Sequence, residues 1–342
     1  MLPTRFSVLD RSLTRQGQTE AQSLRDTVRF AQQAEALGYH RFWVSEHHSV
    51  PGVAGSAPTV LAAAVAAATS HIRVGTGGVM LPNHRPLVVA EQFGVLSALF
   101  PNRIDMGLGR SVGFTTGIRR ALGADKDAVE RFGAHLTELL GYFTGDQDHH
   151  PGVHAHPAEG LRVPPFVLAN GPAADHAADL GLPLVIAVHG GDRWLQALDR
   201  YRTRFRPSTW SPRPYVIAAV TAAVGETPQQ AQRLLASEAW STAYSRTHGE
   251  FPPLRPADEV LALDMSARER AFFEEALAGQ VHGTEDEVAA TLDTLATRGE
   301  VDEFLIGMST YDRAEMLDSY RRLAHAVGLT NPARQERATA HV

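Results

Sequence analysis

The chain has no cysteine among its 342 residues, which excludes disulfides, thiolate nucleophiles and cysteine-ligated zinc or iron–sulfur sites. The absence fits a reducing compartment, and a cytoplasmic location is expected. No charge sign is in large excess. With 32 Lys and Arg against 38 Asp and Glu the formal net charge is -6, so no basic footprint invites nucleic acid or an anionic membrane surface. Long apolar runs are missing as well. The most apolar stretch, Ala57 to Ala68, is about twelve residues, too short to span a bilayer, and reads as a packed helix with small faces. The opening Met1-Leu-Pro-Thr-Arg-Phe carries no charged-then-apolar signal segment, and no fixed-period repeat is evident.

What is present is an alternation of short apolar strands and amphipathic helices. Strands are expected at Phe6–Leu9, Arg41–Val44, Ile72–Val74, Arg103–Met106, Phe166–Ala169, Leu184–Ala187, Tyr215–Val220 and Glu303–Ile306. Between them come helices near 20–37, 57–70, 86–100, 127–142, 173–180 and 194–205. A longer, less regular helical region spans about 228–280, and helices near 285–298 and 313–327 close the chain. Leu24, Val28, Ala31, Ala34 and Leu37 show the helical spacing, and Gly38 supplies the stop. Strands alternating with helices argue for a parallel sheet, and eight such units suit a (β/α)₈ barrel. The expectation is one barrel domain over 1–330, with extra length before strands five and eight, and a loose tail over 331–342.

In such a barrel the chemistry sits at the C-terminal ends of the strands. Three unusual loops fall there. After strand two comes Glu46-His47-His48; adjacent imidazoles on an extended segment point opposite ways, so at most one of the pair faces a ligand. That imidazole suits acid–base work near neutral pH, although a histidine at a strand end also serves as a structural hydrogen-bonder. After strand three comes the glycine-rich turn Gly75-Thr-Gly-Gly78, where missing side chains leave backbone for something flat to lie against; an ordinary tight turn is the plainer alternative. Pro82 and Pro86 stiffen its exit. After strand four comes Gly107-Leu-Gly-Arg110, an arrangement suited to a guanidinium that reaches a phosphate across bare backbone, or to an ordinary solvated arginine. The excursion His149-His150-Pro-Gly-Val-His154-Ala-His156 lacks carboxylates in register and reads as a solvated loop, so no metal site is expected.

Taken together, Trp43-Val-Ser-Glu-His-His48, Gly75-Thr-Gly-Gly-Val-Met-Leu-Pro-Asn-His84 with Ala90-Glu-Gln-Phe93, and Arg103-Ile-Asp-Met-Gly-Leu-Gly-Arg110 resemble the signature loops of bacterial luciferase-like flavin monooxygenases. The resemblance runs from Phe6 to about Leu329. It implies that His47 is the catalytic histidine beside the flavin, while His48 and Glu91 belong to a subunit contact. It further implies a non-proline cis peptide between Gly77 and Gly78 under the isoalloxazine ring, Gly109 near the reactive carbon of the flavin, and Arg110 on the phosphate. One stretch departs from the family pattern. Where hydroxyl side chains commonly hold the phosphate at a helix start, this chain has Leu168-Ala-Asn-Gly-Pro-Ala173. Asn170 is then the only side-chain donor, with the amides near Gly171 and Ala173 in support.

The function that the resemblance implies is a two-component monooxygenase. It would take reduced FMN (FMNH2) from a separate flavin reductase, form a C4a-hydroperoxyflavin with O2, and oxygenate an apolar organic or natural-product substrate. A homodimer formed through the helices 57–70 and 86–100 is expected with it. An F420-dependent oxidoreductase on the same barrel and a non-catalytic flavin-binding relative are the alternatives.

Overall fold

In the computed structural model, which describes residues 2–3, 5–124, 126–171, 173–189 and 191–330, eight parallel strands close into a barrel. They are Phe6–Asp10, Arg41–Val44, Arg73–Thr76, Ile104–Gly109, Pro165–Leu168, Leu184–Ala187, Val216–Val220 and Glu303–Ile306. Closure is visible in the register, with Phe6 opposite Phe304 and Val74 opposite Ile104. The expected loose tail, 331–342, lies outside the described residues.

Local chemistry explains the boundaries of the elements. The helix Glu20–Leu37 starts where the Thr19 hydroxyl accepts from the Gln22 amide, and ends where Gly38 takes φ +87°, a conformation without steric cost only for glycine. The final helix, Arg313–Ala326, starts where the Asp312 carboxylate accepts from the amides of Ala314 and Glu315. Alternate residues of each strand face opposite ways. Phe6, Val8, Phe42 and Val74 pack outward against the helices, while Trp43, Phe166, Val185, Ile217 and Leu305 fill the interior of the barrel.

The barrel interior also holds a buried charge cluster that the linear pattern did not reveal. Arg41 reaches both Asp105 Oδ2, at 2.8 Å, and Glu303 Oε1, at 2.9 Å. Arg73 Nη2 lies 2.6 Å from Asp105 Oδ1, the Trp43 indole donates to Asp105, and Tyr215 and Ser7 donate to Glu303. Both carboxylates are fully buried. Two guanidiniums face two carboxylates, so the charge balances, and neighbouring donors fill the remaining lone pairs.

Several elements differ from the sequence expectation. The third strand runs two residues further, to Thr76, then bends and continues as Val79–Met80, still paired to the fourth strand. A one-turn 3₁₀ helix, Leu81–Asn83, precedes the helix Pro86–Leu99. The helix Thr116–Leu122 was not anticipated; it buries none of its residues, so it carries no periodic signature. Before the eighth strand the chain forms helices Pro228–His248, Ala257–Leu261 and Ala267–Ala278, and a small parallel pair of strands, Ala222–Val224 with Val281–Gly283. This insertion has its own apolar cluster around Trp240, Val260 and Phe273. The histidine-rich excursion is pinned rather than simply solvated. Ala155 and Ala158 are fully buried, and a Cβ at Gly94 would stand 2.7 Å from the Ala158 nitrogen.

Candidate active site at the strand ends

The second strand ends at Val44, and the three residues after Ser45 are sorted by hydrogen bonding. Glu46 turns inward and is 2% exposed. Its carboxylate accepts from the Met80 amide at 2.9 Å, His48 Nε2 at 2.7 Å and His84 Nε2 at 2.9 Å. These contacts hold its pKa below the ordinary carboxylate value, against the opposing effect of burial. The loop after strand two is thereby tied to the segment that follows the Gly-Gly turn. Glu46, His48 and His84 bring three ligand atoms within 4.8 Å of one another, but each imidazole Nε2 is already hydrogen-bonded to the carboxylate. The motif containing His84 was noted in the sequence; its closure onto Glu46 was not, because no local spacing encodes it.

His47 points the other way. Its Nδ1 lies 3.2 Å from the Ser45 hydroxyl, its amide donates to Gly55 O at 2.9 Å, and its ring lines a cavity of about 660 Å³. Burial and then the nearby Arg11 guanidinium push its pKa down to about 4. The imidazole is therefore neutral at pH 7 and can accept or relay a proton. Phe114, 64% exposed, stacks on it with ring centroids 6.2 Å apart and planes 18° from parallel. The cavity walls include Leu13, Val50, Pro51 and Val53 from the barrel loops, Phe114 from the loop before the unanticipated helix and Ile118 from that helix, and residues between Thr242 and Phe251 from the insertion. Its volume falls in the range of small-molecule sites. Sequence reasoning missed Arg11 and Phe114, single residues in loops without a motif.

The remaining candidates gather on the adjoining strand ends. Register places Met80 beside Gly109 and Gly109 beside Leu168, so the Gly-Gly turn, Arg110 and Asn170-Gly171 share one end of the barrel. The peptide bond between Gly77 and Gly78 is cis. The reason for glycine there differs from expectation. A Cβ at Gly75 would stand 2.5 Å from Asp105 O, at Gly77 2.6 Å from Leu9 Cδ1, and at Gly78 2.8 Å from Gly107 O. The missing side chains thus admit neighbouring protein, and only the opposite, partly exposed face of the turn stays open.

Open room lies elsewhere. A Cβ at Gly109 would meet only Val79 O, at 3.9 Å, and at Gly171 nothing within 4 Å. Arg110 is half-buried and has no hydrogen-bond or ion-pair partner among the described residues. A free guanidinium beside two open glycines fits an anionic group carried by a flat ligand. Asn170 is committed in part, since its Oδ1 accepts from the Ala187 amide at 2.8 Å. Ala173, fully buried, opens the short helix that follows.

These features define a (β/α)₈ barrel with a cavity-lining histidine and a half-buried arginine beside open glycines at the C-terminal ends of its strands. The chain belongs to the luciferase-like monooxygenase family, whose model matches residues 4–303. It is 38% identical to the uncharacterized protein YvbT of Bacillus subtilis (strain 168), covering 94% of this chain and 96% of that one. It is 34% identical to the N-acetyl-S-alkylcysteine monooxygenase of the same organism, over 94% and 98%. Among solved structures it is similar to apo-MsnO8, with TM-score 0.83 and 32% identity over 95% and 98% of the two chains. At the level of fold alone it is similar to the oxygenating constituent of 3,6-diketocamphane monooxygenase of Pseudomonas putida in complex with FMN, with TM-score 0.73 and 17% identity over 96% and 98%. The same holds for an F420-dependent secondary alcohol dehydrogenase, with TM-score 0.69 and 15% identity over 96% and 99%. Proteins of this fold thus include one in complex with FMN and one that is F420-dependent. No helix among the described residues is long and apolar enough to cross a membrane.

Proposed function

We propose that this protein is a two-component monooxygenase that receives reduced FMN from a separate reductase and oxygenates an organic substrate held in the cavity beside His47. The observation that carries the reading is the placing of a neutral imidazole on a cavity of mixed polar and apolar walls, at the barrel end that also holds Arg110, which has no partner among the described residues. Reduced FMN, when bound, supplies the electrons that activate O2. Arg110, with the amides near Gly171 and Ala173, would take the phosphate, and the room at Gly109 and the open face of Gly77-Gly78 would take the ring. His47 would hold or move a proton through Nε2, the ring nitrogen that Ser45 leaves free. The apolar walls and Phe114 exclude water from the reacting groups. A relative named for N-acetyl-S-alkylcysteine supports a small-molecule substrate.

The test is anaerobic titration with reduced FMN and with reduced F420, followed by admission of O2 with candidate substrates. Selective binding of reduced FMN and oxygenated product support the reading. Selective binding of F420, with hydride transfer and no oxygen incorporation, replaces it with the F420 alternative. Binding of reduced FMN without oxygenated product from any candidate leaves the non-catalytic relative as the better reading.

The protein functions as a homodimer in this reading, paired through the helices Pro58–Ala68 and Pro86–Leu99. Support comes from four large apolar side chains exposed on those helices, Val60, Val88, Val95 and Leu99, of which Val60 is 70% and Leu99 65% exposed. Thr59 and Gln92 hydrogen-bond between the helices and hold their faces in register.

A further inference from the structure

Two charged residues line the cavity beside His47, the exposed Glu250 at its rim and Arg11, and the Arg11 guanidinium is already neutralised from behind. Arg11 follows directly on the first strand, at its C-terminal end, and lines the cavity with His47. Its Nη2 is paired with Glu238 Oε1, and the two side chains are 29% and 17% exposed. Glu238 is its only hydrogen-bond partner among the described residues, so Nε–H and the Nη1 hydrogens remain to donate. Glu238 lies on the helix Pro228–His248, with Thr242 and Ser245 following at i+4 and i+7, the spacing of a single helix face. The last two line the cavity, and Glu238 sits one turn behind them. Among the described residues the second oxygen of Glu238 is buried without a hydrogen-bond partner, and Arg11 is the one cation paired with this carboxylate.

We infer that Arg11 is a specificity-determining residue that binds a neutral carbonyl oxygen of the substrate, as in a ketone, ester or amide, and that Glu238 disfavours carboxylates. The inference rests on the reading of this cavity as the substrate site. The reasoning is electrostatic. A guanidinium with free N–H groups donates strong, directional hydrogen bonds. In a half-buried setting, an unpaired arginine would favour an anion above all. Here a carboxylate on the substrate would approach a guanidinium whose charge is already matched, and would meet the repulsion of Glu238 at low dielectric. A neutral carbonyl oxygen gains the hydrogen bonds without that repulsion. The apolar walls at Leu13, Val53, Phe114 and Ile118 accept the rest of such a molecule.

The test is a binding series without flavin, so that it can fail independently of the monooxygenase reading. Three probes share one apolar body: 2-acetylnaphthalene, 2-isopropylnaphthalene and 2-naphthoate. Wild-type protein should bind the ketone about tenfold more tightly than the other two, the scale of one hydrogen bond to a charged group. Arg11→Met should abolish the ketone's advantage over the hydrocarbon and leave the hydrocarbon within about twofold of wild type. Glu238→Gln should shift preference toward 2-naphthoate, because the guanidinium then carries an unopposed charge. The double variant Arg11→Met, Glu238→Leu removes both charges and keeps the test sound if Glu238 alone destabilises the fold; it should bind like Arg11→Met. Preference of the wild type for the carboxylate, a ketone advantage surviving in Arg11→Met, or no binding of any probe each overturns the inference.

Discussion

Asn170 holds the Ala187 amide through Oδ1 at 2.8 Å, which makes it a clip between the fifth and sixth strands before it is anything else. Its Nδ2 is left as the one side-chain donor on that loop. Arg110→Ala should therefore abolish the preference for FMN over riboflavin, while Asn170→Ala should mainly lower stability, by about 1 kcal/mol, and reduce the preference less. Anaerobic titration of both reduced flavins, with urea unfolding of each variant, checks the division. An undiminished preference in Arg110→Ala moves the phosphate to the Asn170 loop.

Removal of the imidazole in His47→Ala should lower turnover by about 10²-fold or more, the usual scale for a positioned acid–base group, and leave flavin affinity nearly unchanged. His48→Ala acts elsewhere, because its ring serves the Glu46 carboxylate. It should reduce thermal stability or dimerisation and spare single-turnover chemistry. Equal single-turnover rates in the two variants would end the division of roles.

Acid should weaken the fold earlier than carboxylate titration requires. His40 and His47 are both pushed down to about 4, chiefly by burial, while an unfolded chain protonates histidine near 6.5. The unfolded state thus binds more protons between those values, so stability is full above about pH 6.5 and falls as pH drops toward 4. Glu35, Glu46 and Asp105, held below their ordinary range, add further loss beneath that window. Urea unfolding at pH 7.5, 6.5 and 5.5 should show the decline, and His40→Gln and His47→Gln should each flatten it.

The charge cluster inside the barrel should be intolerant of one-sided change. Arg41→Met leaves Glu303 without its guanidinium and Asp105 with Arg73 alone, and should cost about 3–5 kcal/mol. Asp105→Asn leaves Arg41 and Arg73 against a single carboxylate and should cost a similar amount. Unfolding midpoints that barely move would mean that water reaches the cluster.

Leu99→Asp combined with Val60→Asp should convert the protein to a monomer at micromolar concentration by light scattering, with the far-ultraviolet spectrum unchanged. A wild type that is already monomeric contradicts the dimer outright.

Periodicity in the sequence was enough to place all eight barrel strands, because each is a buried run bounded by helix stops such as Gly38. It could not show how far the third strand reaches, since Gly75 and Thr76 look like turn residues until Asp105 is seen packed against them. The helix Thr116–Leu122 was illegible because nothing in it is buried. His47 and Arg110 stood out through their motifs. Arg11 and Glu238 did not, being 227 positions apart with no local pattern; only the fold brings them together.

The cavity beside His47 draws its walls from two stretches with different obligations. One side is barrel loop, tied by Glu46 to the turn at Gly77-Gly78; the other is the stretch from Thr242 to Phe251, carried by an insertion with a separate apolar cluster around Trp240. Mutations in the second stretch can accumulate without disturbing strand register or the cradle at Arg110. Such a division makes the insertion an exchangeable cassette: transplanting residues 228–280 between relatives should carry substrate preference with it, while the recipient barrel keeps its own cofactor.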